Sequence, residues 1–485
     1  MALEYDLVII GATAAARTAA IEAVNLQARV ALILPQLYGQ PHPQRDFYPH
    51  ALAAIAKTDR SARTPLQSPS SYPWQYARAA IDRLEQQSSP ALLAAMGVDI
   101  IVGTGEFCRR PHLAFNIDRR SLRARAYLIA TGSVSHSPLI PGIQAAGYLT
   151  LDRLPRLIDA AQTKPRQREV PLRWAIIGAE SIGVELAQTL AKLGYQVTLI
   201  VETEQILPYE DLDLANLIQA QLEADGVKIY LATVVTSVGK EDAVKLVTMG
   251  AESIAVDEIF IALPDRPLLE PFNLLGVGVD YTDKGISIDN KLRTSHRQIY
   301  ACGNVCGNVL GGYQSQSLTQ YEAKIAVKNS LSWRKIKVDY QSYNYLPWAV
   351  YTDPPLARVG MTIEHSRHTP AKKLRQPRDL IILKTYLKTC HQAILADITS
   401  GICQIVVTRR GQILGAEIVG QNAPELIQIL TVAIQQKLTI TELTTFPCLA
   451  PSYVEFIYQA AQEWDKYERS QQQRRGWIEW LFWRK

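Results

Sequence analysis

The residues whose types and spacing most clearly indicate a function form a glycine-containing turn near the N-terminus. In a G-x-G-x-x-G fingerprint the first glycine makes a tight turn, the second lets backbone approach a pyrophosphate, and the third lets the following helix pack closely. Gly11, Thr13 and Ala16 stand at these places. Thr13 either crowds a phosphate or hydrogen-bonds to it. Leu34 and Pro35 occupy the place of the acid that would bind the ribose, and neither side chain can accept a hydrogen bond from a ribose hydroxyl.

A second turn of the same kind occurs about 165 residues later in the chain. It has Gly178 and Gly183 at the outer positions and Glu180 in the middle. Glu202 follows the next predicted strand, where an acid would hydrogen-bond the ribose and repel a 2′-phosphate. The pattern therefore favours NADH, and makes NADPH the less favoured nucleotide.

The elements that must position these turns form the same unit twice. Continuous apolar strands alternating with helices are typical of a buried parallel sheet, so each unit is a βαβ half of a Rossmann-like domain. The predicted elements are strand 5–11, a small-residue helix to about 25 and strand 29–34, then strand 173–178, helix 181–193 and strand 196–201. Residues 57–73, rich in Ser, Pro and Arg, predict a surface loop, and a helix is expected over 74–87. After about residue 344 short strands and then helices predict a distinct α+β domain.

Six stretches in order resemble the class I flavoprotein disulfide reductases, which include dihydrolipoamide dehydrogenase, glutathione reductase and mercuric reductase. The stretches are DLVIIG, AYLIATGS, AIIGAESIGVELAQTLAKLGYQVTLI, ILPYEDLDL, LRTSHRQIYACGNV and YTDPPLARVG. The resemblance spans roughly residues 3–462. It implies an α/β fold with two Rossmann-like nucleotide-binding domains and a C-terminal α+β dimerisation domain, and a homodimer in which each active site borrows residues from the partner.

The resemblance also implies domain boundaries and cofactor contacts. The expected domains are an FAD-binding domain in two parts (1–150 and, with the central domain, 268–340), an NAD(P)-binding domain (151–267), a dimerisation domain (341–462) and a tail (463–485). The residues expected to bind FAD are Gly11, Ala12, Thr13, Ala15, Ala16, Thr131, Gly132, Gly303 and Asn304. Those expected to bind NAD are Gly178, Ala179, Glu180, Ile182, Gly183 and Glu202. Asn304 replaces the family's aspartate, and its amide oxygen can still accept a hydrogen bond.

The family's redox-active cysteine pair is missing from the sequence. The family motif C-x4-C-x-P-x-K aligns with GQPHPQRDFYPHAL, which places Pro41 and Asp46 at the two cysteine positions and His50 at the lysine position. The cysteines are residues 108, 302, 306, 390, 403 and 448, so none precedes residue 108. The sequence therefore predicts that dithiol chemistry does not occur at this site.

Three residues remain as catalytic candidates by resemblance. The family's C-terminal motif H-x-H-P-T-x-x-E has Ala450 in place of the base histidine but keeps Glu455. Glu185 matches a family glutamate that pairs with the active-site lysine, so His50 is its expected partner here. Each of these groups could instead be structural.

The last residues form an aromatic and basic tail. Trp477, Trp480 and Trp483 recur every three residues, and basic residues flank them. Residues 474–485 are therefore expected either to dock on a membrane surface or a protein partner, or to fold back onto the dimer.

Composition excludes several classes of protein. Of 485 residues, 47% are apolar and 20% charged, which argues against disorder. The net charge of +5 comes from 51 basic and 46 acidic residues without a basic block, so no nucleic acid partner is expected. No metal site, signal peptide or membrane span is predicted, and the expected location is the cytoplasm, with the tail as a means of peripheral attachment.

Two functions are consistent with these residues. The first is an FAD-dependent NADH oxidoreductase that passes hydride to the flavin and then to an unknown small-molecule or protein electron acceptor. The second is a catalytically silent homodimer that binds nucleotides or serves as an assembly subunit, since its motifs are altered on a complete fold.

Overall fold

The computed structural model describes most of the chain. The described residues are 3–36, 47–61, 72–135, 138–154, 173–242, 244–307, 316–332, 336, 346–362, 380–445 and 447–483. Side chains are described over the same ranges except 58–61, 72 and 471–483. The chain forms two compact units, Met1–Glu204 with Asp225–Tyr340, and Gln205–Ala224 with Gln341–Lys485.

A five-stranded parallel sheet forms the first half of the first unit. Its strands, in the spatial order β19-β7-β1-β2-β3, are β1 (Tyr5–Ile10), β2 (Val30–Leu34), β3 (Asp99–Val102), β7 (Ala124–Ile129) and β19 (Ile299–Ala301). Helices α1 (Ala14–Asn25) and α8 (Gln316–Leu331) pack against each other beside it. Alanines along the buried face of α1 allow this close approach.

Smaller elements complete this half. They are the helices α2 (Tyr48–Ser61), α3 (Tyr72–Gln86) and α4 (Pro90–Ala95), the antiparallel strands β4 (Gly105–Cys108), β5 (Ala114–Ile117) and β6 (Arg120–Leu122), and the pairs β8 (Ser133–Val134) with β16 (Arg266–Pro267) and β17 (Tyr281–Thr282) with β18 (Gly285–Ile286). The predicted loop 57–73 was too long, because helix α2 continues beyond its Ala-rich part to Ser61 and helix α3 begins at Tyr72.

A second parallel sheet holds the other nucleotide turn. Its order is β11-β10-β9-β15, with β9 (Arg173–Ile177), β10 (Gln196–Ile200), β11 (Lys228–Tyr230) and β15 (Glu258–Ile261). Helix α6 (Ser181–Lys192) connects β9 to β10, as α1 connects β1 to β2. The short helix α5 (Ile143–Ala146) and an antiparallel sheet of β12 (Ser237–Glu241), β13 (Val244–Met249) and β14 (Glu252–Val256) accompany it.

Two tryptophans and a tyrosine join the two halves of this unit. The indole of Trp74 on α3 stacks on that of Trp174 on β9 with ring centroids 6.3 Å apart. Trp74 Nε1 donates a hydrogen bond of 2.9 Å to the Tyr195 hydroxyl. Because Trp74 and Trp174 are at most 1% exposed, this cluster is a continuous piece of core.

The second unit is an antiparallel sheet covered by helices. Its strands, in the order β20-β21-β24-β23-β22, are β20 (Trp348–Val350), β21 (Leu356–Gly360), β22 (Leu380–Tyr386), β23 (Ile402–Thr408) and β24 (Ile413–Val419). Its helices are α7 (Leu212–Ala224), α9 (His391–Leu395), α10 (Ala423–Gln435), α11 (Ile440–Thr444) and α12 (Glu455–Trp483). One sheet face forms an apolar core with α10 and α12, and this core includes Trp464.

A polar row crosses the same sheet. Trp348, Arg358, Glu417, Gln404 and Lys384 are register partners on five successive strands. Residues of the segment 205–224 pair with this row: Arg358 Nε lies 3.3 Å from a Glu210 carboxylate oxygen, and Lys384 Nζ lies 2.9 Å from Asp213 Oδ2. The α/β class, the two βαβ units and the α+β C-terminal domain are therefore confirmed.

Candidate nucleotide and active sites

The first nucleotide turn requires a glycine at its start. Gly11 follows β1 with φ +142°, and a Cβ there would lie 2.1 Å from the carbonyl oxygen of Ala130 at the end of β7. Only glycine permits this close approach. The site is thus formed where neighbouring parallel strands end, which is the usual ligand position in such sheets.

Thr13 caps the helix that follows this turn. Its Oγ1 accepts a hydrogen bond of 3.2 Å from the Ala16 amide and donates one of 2.8 Å to Ala130 O. A hydroxyl has one proton, so the side chain cannot at the same time donate to a phosphate. In this arrangement the hydroxyl proton of Thr13 is directed to the main chain.

The other residues expected at the FAD site converge on the same edge of the sheet. A Cβ on Gly132 would lie 2.7 Å from Thr13 Cγ2, and one on Gly303 would lie 3.6 Å from the Cβ of Ala15. The side-chain nitrogen of Asn304 donates to Ser133 Oγ at 3.3 Å, which leaves its amide oxygen as an acceptor.

Two further contacts fix this edge of the sheet. Thr131 Oγ1 donates to Leu268 O at 2.8 Å. The Gly303 amide donates to the buried Glu322 carboxylate at 2.6 Å. The glycines and the helix start of α1 thus fit a dinucleotide pyrophosphate, which backbone amides bind at such a place.

The second nucleotide turn repeats the geometry of the first. Gly178 has φ +131°, and a Cβ there would lie 2.2 Å from the carbonyl oxygen of Ala262. A Cβ on Gly183 would lie only 2.9 Å from the Cβ of Ala262, so this glycine lets α6 approach the sheet. Ala179 and Ile182 complete the turn, both half-buried.

Glu180 and Glu202 are the two acids of this second turn. Glu180 is the N-cap residue of α6, where its side chain makes no capping hydrogen bond, and burial raises the pKa of its carboxyl. Glu202 lies exposed just beyond β10. The glycines fit a dinucleotide, whereas an ionised Glu180 would repel its phosphates.

His50 and Glu185 form the expected pair. His50 Nε2 on α2 lies 3.1 Å from Glu185 Oε2 on α6. The glutamate side chain is 6% exposed and the histidine side chain 29% exposed. Pro41 and Asp46, the two positions aligned with the family's cysteines, lie outside the described residues.

Glu455 has a partner that the sequence analysis missed. It is the first residue of α12, 5% exposed, and its Oε2 lies 2.7 Å from Nδ1 of His391. Burial opposes ionisation of Glu455, but hydrogen bonds from Ser452 and His391 lower its pKa overall. No local motif marks His391, which is 64 residues away in the chain.

The cysteines are free thiols in the structure. Burial, assisted by the Glu322 carboxylate, raises the pKa of Cys302 and Cys306 well above the usual range, so both stay protonated. Within the described ranges, no three His, Cys, Asp or Glu residues are grouped so that they could hold a metal ion. In those same ranges no helix is both long and apolar enough to cross a membrane.

Comparison with known proteins identifies the family. The profile described as "Pyridine nucleotide-disulphide oxidoreductase" matches residues 5–326, and that of its dimerisation domain matches residues 346–461. The chain belongs to the pyridine nucleotide-disulphide oxidoreductase family. Members of the family use FAD and a pyridine nucleotide, and its dimerisation domain indicates a homodimer.

Relatives in this family cover nearly the whole chain. Mercuric reductase of Staphylococcus aureus is 28% identical over 91% of this chain and 79% of its own length. Dihydrolipoyl dehydrogenase 3 of Haloarcula marismortui is 26% identical over 94% of this chain and 96% of its own length. The solved structure of the HOCl-induced flavoprotein disulfide reductase RclA from Escherichia coli shares the fold, with a TM-score of 0.80, 24% identity and coverage of 94% of this chain and 99% of that one.

Proposed function

We propose that the protein is an FAD-dependent NADH oxidoreductase that works without a dithiol. Hydride would pass from NADH to the flavin, and the electrons would then reduce an acceptor other than a disulfide. Bound FAD would supply the capacity to accept hydride and release electrons, while the protein positions and shields it. The proposal is supported by family membership and by the absence of cysteine before residue 108.

The observation that carries the proposal is the matched geometry of the two nucleotide turns. Gly11 and Gly178 each lie against the carbonyl oxygen of an alanine that ends or follows the neighbouring strand, Ala130 and Ala262. Such a close approach excludes any side chain and keeps the helix start open to a phosphate. Both turns therefore keep the backbone geometry that a dinucleotide site needs.

The roles of the remaining residues follow from their positions. The FAD set would be Gly11, Ala12, Thr13, Ala15, Ala16, Thr131, Gly132, Gly303 and Asn304, and the NAD set Gly178, Ala179, Glu180, Ile182, Gly183 and Glu202. His50 and Glu185 would hold the first turns of α6 against α2. Glu455 would take part in proton transfer together with its hydrogen-bond partner His391. Glu202 would select NADH because it repels a 2′-phosphate.

The absorption spectrum of the purified protein tests this proposal. We expect a flavin band that NADH bleaches without oxygen, and that NADPH bleaches more slowly. Iodoacetamide added after NADH should leave activity with an artificial acceptor unchanged, because no dithiol takes part. A colourless protein would instead support the catalytically silent homodimer, and a yellow protein that NADH cannot bleach would indicate structural FAD.

A glycine variant and its control link the colour to the first turn. Gly11→Ala should lose FAD because its Cβ collides with Ala130 O. Gly239→Ala is the matched control, since the nearest atom to its new Cβ would be 3.8 Å away. Retained FAD in Gly11→Ala, with a wild-type spectrum, would argue against this turn as the binding site.

We also propose that the C-terminal tail docks the protein on a membrane surface. Helix α12 continues to Trp483, so Trp477, Trp480 and Trp483 belong to one helix with apolar neighbours and flanking arginines. Tryptophan and basic residues together are typical of helices that lie at the interface of anionic membranes.

A further inference from the structure

Three polar side chains form a hydrogen-bonded row at the edge of the first sheet. Ser133 Oγ donates a hydrogen bond of 2.9 Å to Asp265 Oδ2. The side-chain nitrogen of Asn304 donates one of 3.3 Å to the same serine oxygen. All three residues belong to the first unit, and Ser133 at the centre of the row is only 1% exposed. The two hydrogen bonds are therefore shielded from water where they meet.

Backbone pairing holds the serine against the aspartate. Ser133 lies in β8, opposite Pro267 of β16, and Asp265 directly precedes β16. The Leu268 amide extends this pairing with a hydrogen bond of 3.0 Å to the carbonyl oxygen of Gly132. The main chain thus sets the distance between the hydroxyl and the carboxylate, and the row is a built part of the fold.

The direction of each hydrogen bond follows from the number of protons. A serine hydroxyl has one proton, and here it goes to the Asp265 carboxylate, which only accepts. Ser133 can therefore only accept from residue 304, so this residue must present an N–H group. The amide of Asn304 is thereby held with its nitrogen toward Ser133 and its oxygen on the opposite branch of the side chain.

An aspartate at position 304 would not fit this row. Its carboxylate has no proton to give to Ser133, and two carboxylates would then compete for one hydroxyl proton. A further carboxylate is close, since Asp152 Oδ2 accepts a hydrogen bond of 2.7 Å from the amide of Ser135, two residues after Ser133. Like charges gathered at one place are unfavourable. The surroundings of residue 304 thus favour a neutral amide.

We propose that Ser133 and Asp265 are positioning residues that hold the Asn304 amide with its oxygen toward a hydroxyl of bound FAD. This role rests on the proposed binding of FAD. The family's aspartate offers an oxygen whichever way its symmetric carboxylate is turned, whereas an asparagine offers one in a single orientation only. Two residues from other segments fix that orientation here, so this chain requires asparagine at position 304.

The affinity of the apoprotein for FAD tests this requirement without any measurement of activity. Quenching of FAD fluorescence should show a dissociation constant about 10- to 100-fold higher for Asn304→Asp than for the wild-type chain, because the new carboxylate is left without a donor. Asn216→Asp, which adds the same charge at an exposed position of α7, is the matched control and should bind FAD normally. Far-UV circular dichroism of each apoprotein checks that the variants fold.

An exchange of amide and carboxylate distinguishes positioning from a merely structural role. In the double variant Asn304→Asp with Asp265→Asn, the new amide at position 265 donates to Ser133, whose proton then goes to the new carboxylate at position 304. We expect this variant to recover an affinity within about threefold of the wild-type value. A double variant that binds FAD no better than Asn304→Asp would overturn the proposal.

A second set of variants does not depend on Asn304→Asp. Ser133→Ala should weaken FAD binding about fivefold to tenfold, because the amide loses its fixed orientation. Adding Asp265→Asn to Ser133→Ala should change the affinity no further, since Asp265 acts on residue 304 through Ser133. Losses that simply add in the double variant would contradict this linkage.

The outcomes separate the positioning role from the function on which it rests. If the wild-type apoprotein binds FAD and Asn304→Asp binds it equally well, the positioning role alone is wrong. If the wild-type apoprotein does not bind FAD, the proposed oxidoreductase function fails, and the role of the row fails with it.

Discussion

Glu180 places a carboxyl group at the start of α6, where the fingerprint has its middle glycine. Burial raises the pKa of this carboxyl, and its side chain makes no capping hydrogen bond. A nucleotide pyrophosphate at this helix start would meet a negative charge once Glu180 ionises. The affinity for the nucleotide should therefore depend on whether the Glu180 carboxyl is ionised.

Glu180→Gln should strengthen NADH binding, because it removes the repulsion while keeping the size of the side chain. We expect a dissociation constant about fivefold to tenfold lower near neutral pH by calorimetric titration. The wild-type protein should bind NADH more tightly as pH falls toward the raised pKa, and the variant should lose this dependence. Glu223→Gln, on α7, is the control, and equal affinities in Glu180→Gln and wild type would contradict the argument.

The sequence predicted contacts that depend on local spacing or on the family resemblance. It did not predict contacts between residues that are distant in the chain and belong to no motif. Gly11, Gly178 and the partnership of His50 with Glu185 followed from local spacing or from the resemblance. His391 reaches Glu455 only because the starts of α9 and α12 meet, and Arg358 reaches Glu210 only through the packing of the segment 205–224 on the sheet. The hydrogen bonds of Thr13 likewise depend on the neighbouring strand β7.

At the scale of elements, the polar row of the antiparallel sheet holds a carboxyl that titrates near neutrality. Burial raises the pKa of Glu210 to about 7 although Arg358 lowers it. The folded state thus keeps a proton that the unfolded chain releases near the ordinary value of 4.5. The contribution of the protonated Glu210 carboxyl to the free energy of unfolding is fully present below pH 4.5 and is lost as the pH rises through about 7.

Glu210→Gln should flatten the pH dependence of stability in this window. The shift corresponds to at most roughly 3 kcal/mol, measured as the free energy of urea unfolding at a series of pH values. Asp213→Asn, on the same segment but exposed, should keep the wild-type slope. A Glu210→Gln variant that keeps the slope would assign the titration to another group.

The helix α12 has a structural part and a part available for docking. Trp464 is 2% exposed within the core of the second unit, so a truncation must leave it in place. A chain that ends at Ser470 should keep the dimer and its cofactors but no longer float with anionic vesicles. The intact chain is the reference, and equal flotation of both chains would exclude the tail as a membrane anchor.

At the scale of the molecule, the aromatic cluster of Trp74, Trp174 and Tyr195 joins the two nucleotide-binding halves of the first unit. Trp74→Ala should lower the free energy of unfolding by about 3–5 kcal/mol, because it leaves a cavity and an unpaired Tyr195 hydroxyl. Calorimetry should also show the two halves melting separately. Tyr76→Ala, at a 37% exposed position on the same helix, should lower the free energy of unfolding far less. A similar loss in both variants would contradict the role of the cluster in joining the two halves.

The hydrogen bonds of Thr13 have a consequence for how this lineage can change. Since that hydroxyl donates to the main chain at Ala130, a phosphate at the first turn would be recognised by backbone N–H groups, which every amino acid except proline supplies. Mutations can then accumulate around the turn for a long time while its affinity persists, provided that Gly11 survives. Loss of cofactor binding should accordingly follow more readily from a substitution at Gly11 than from one at a neighbouring position.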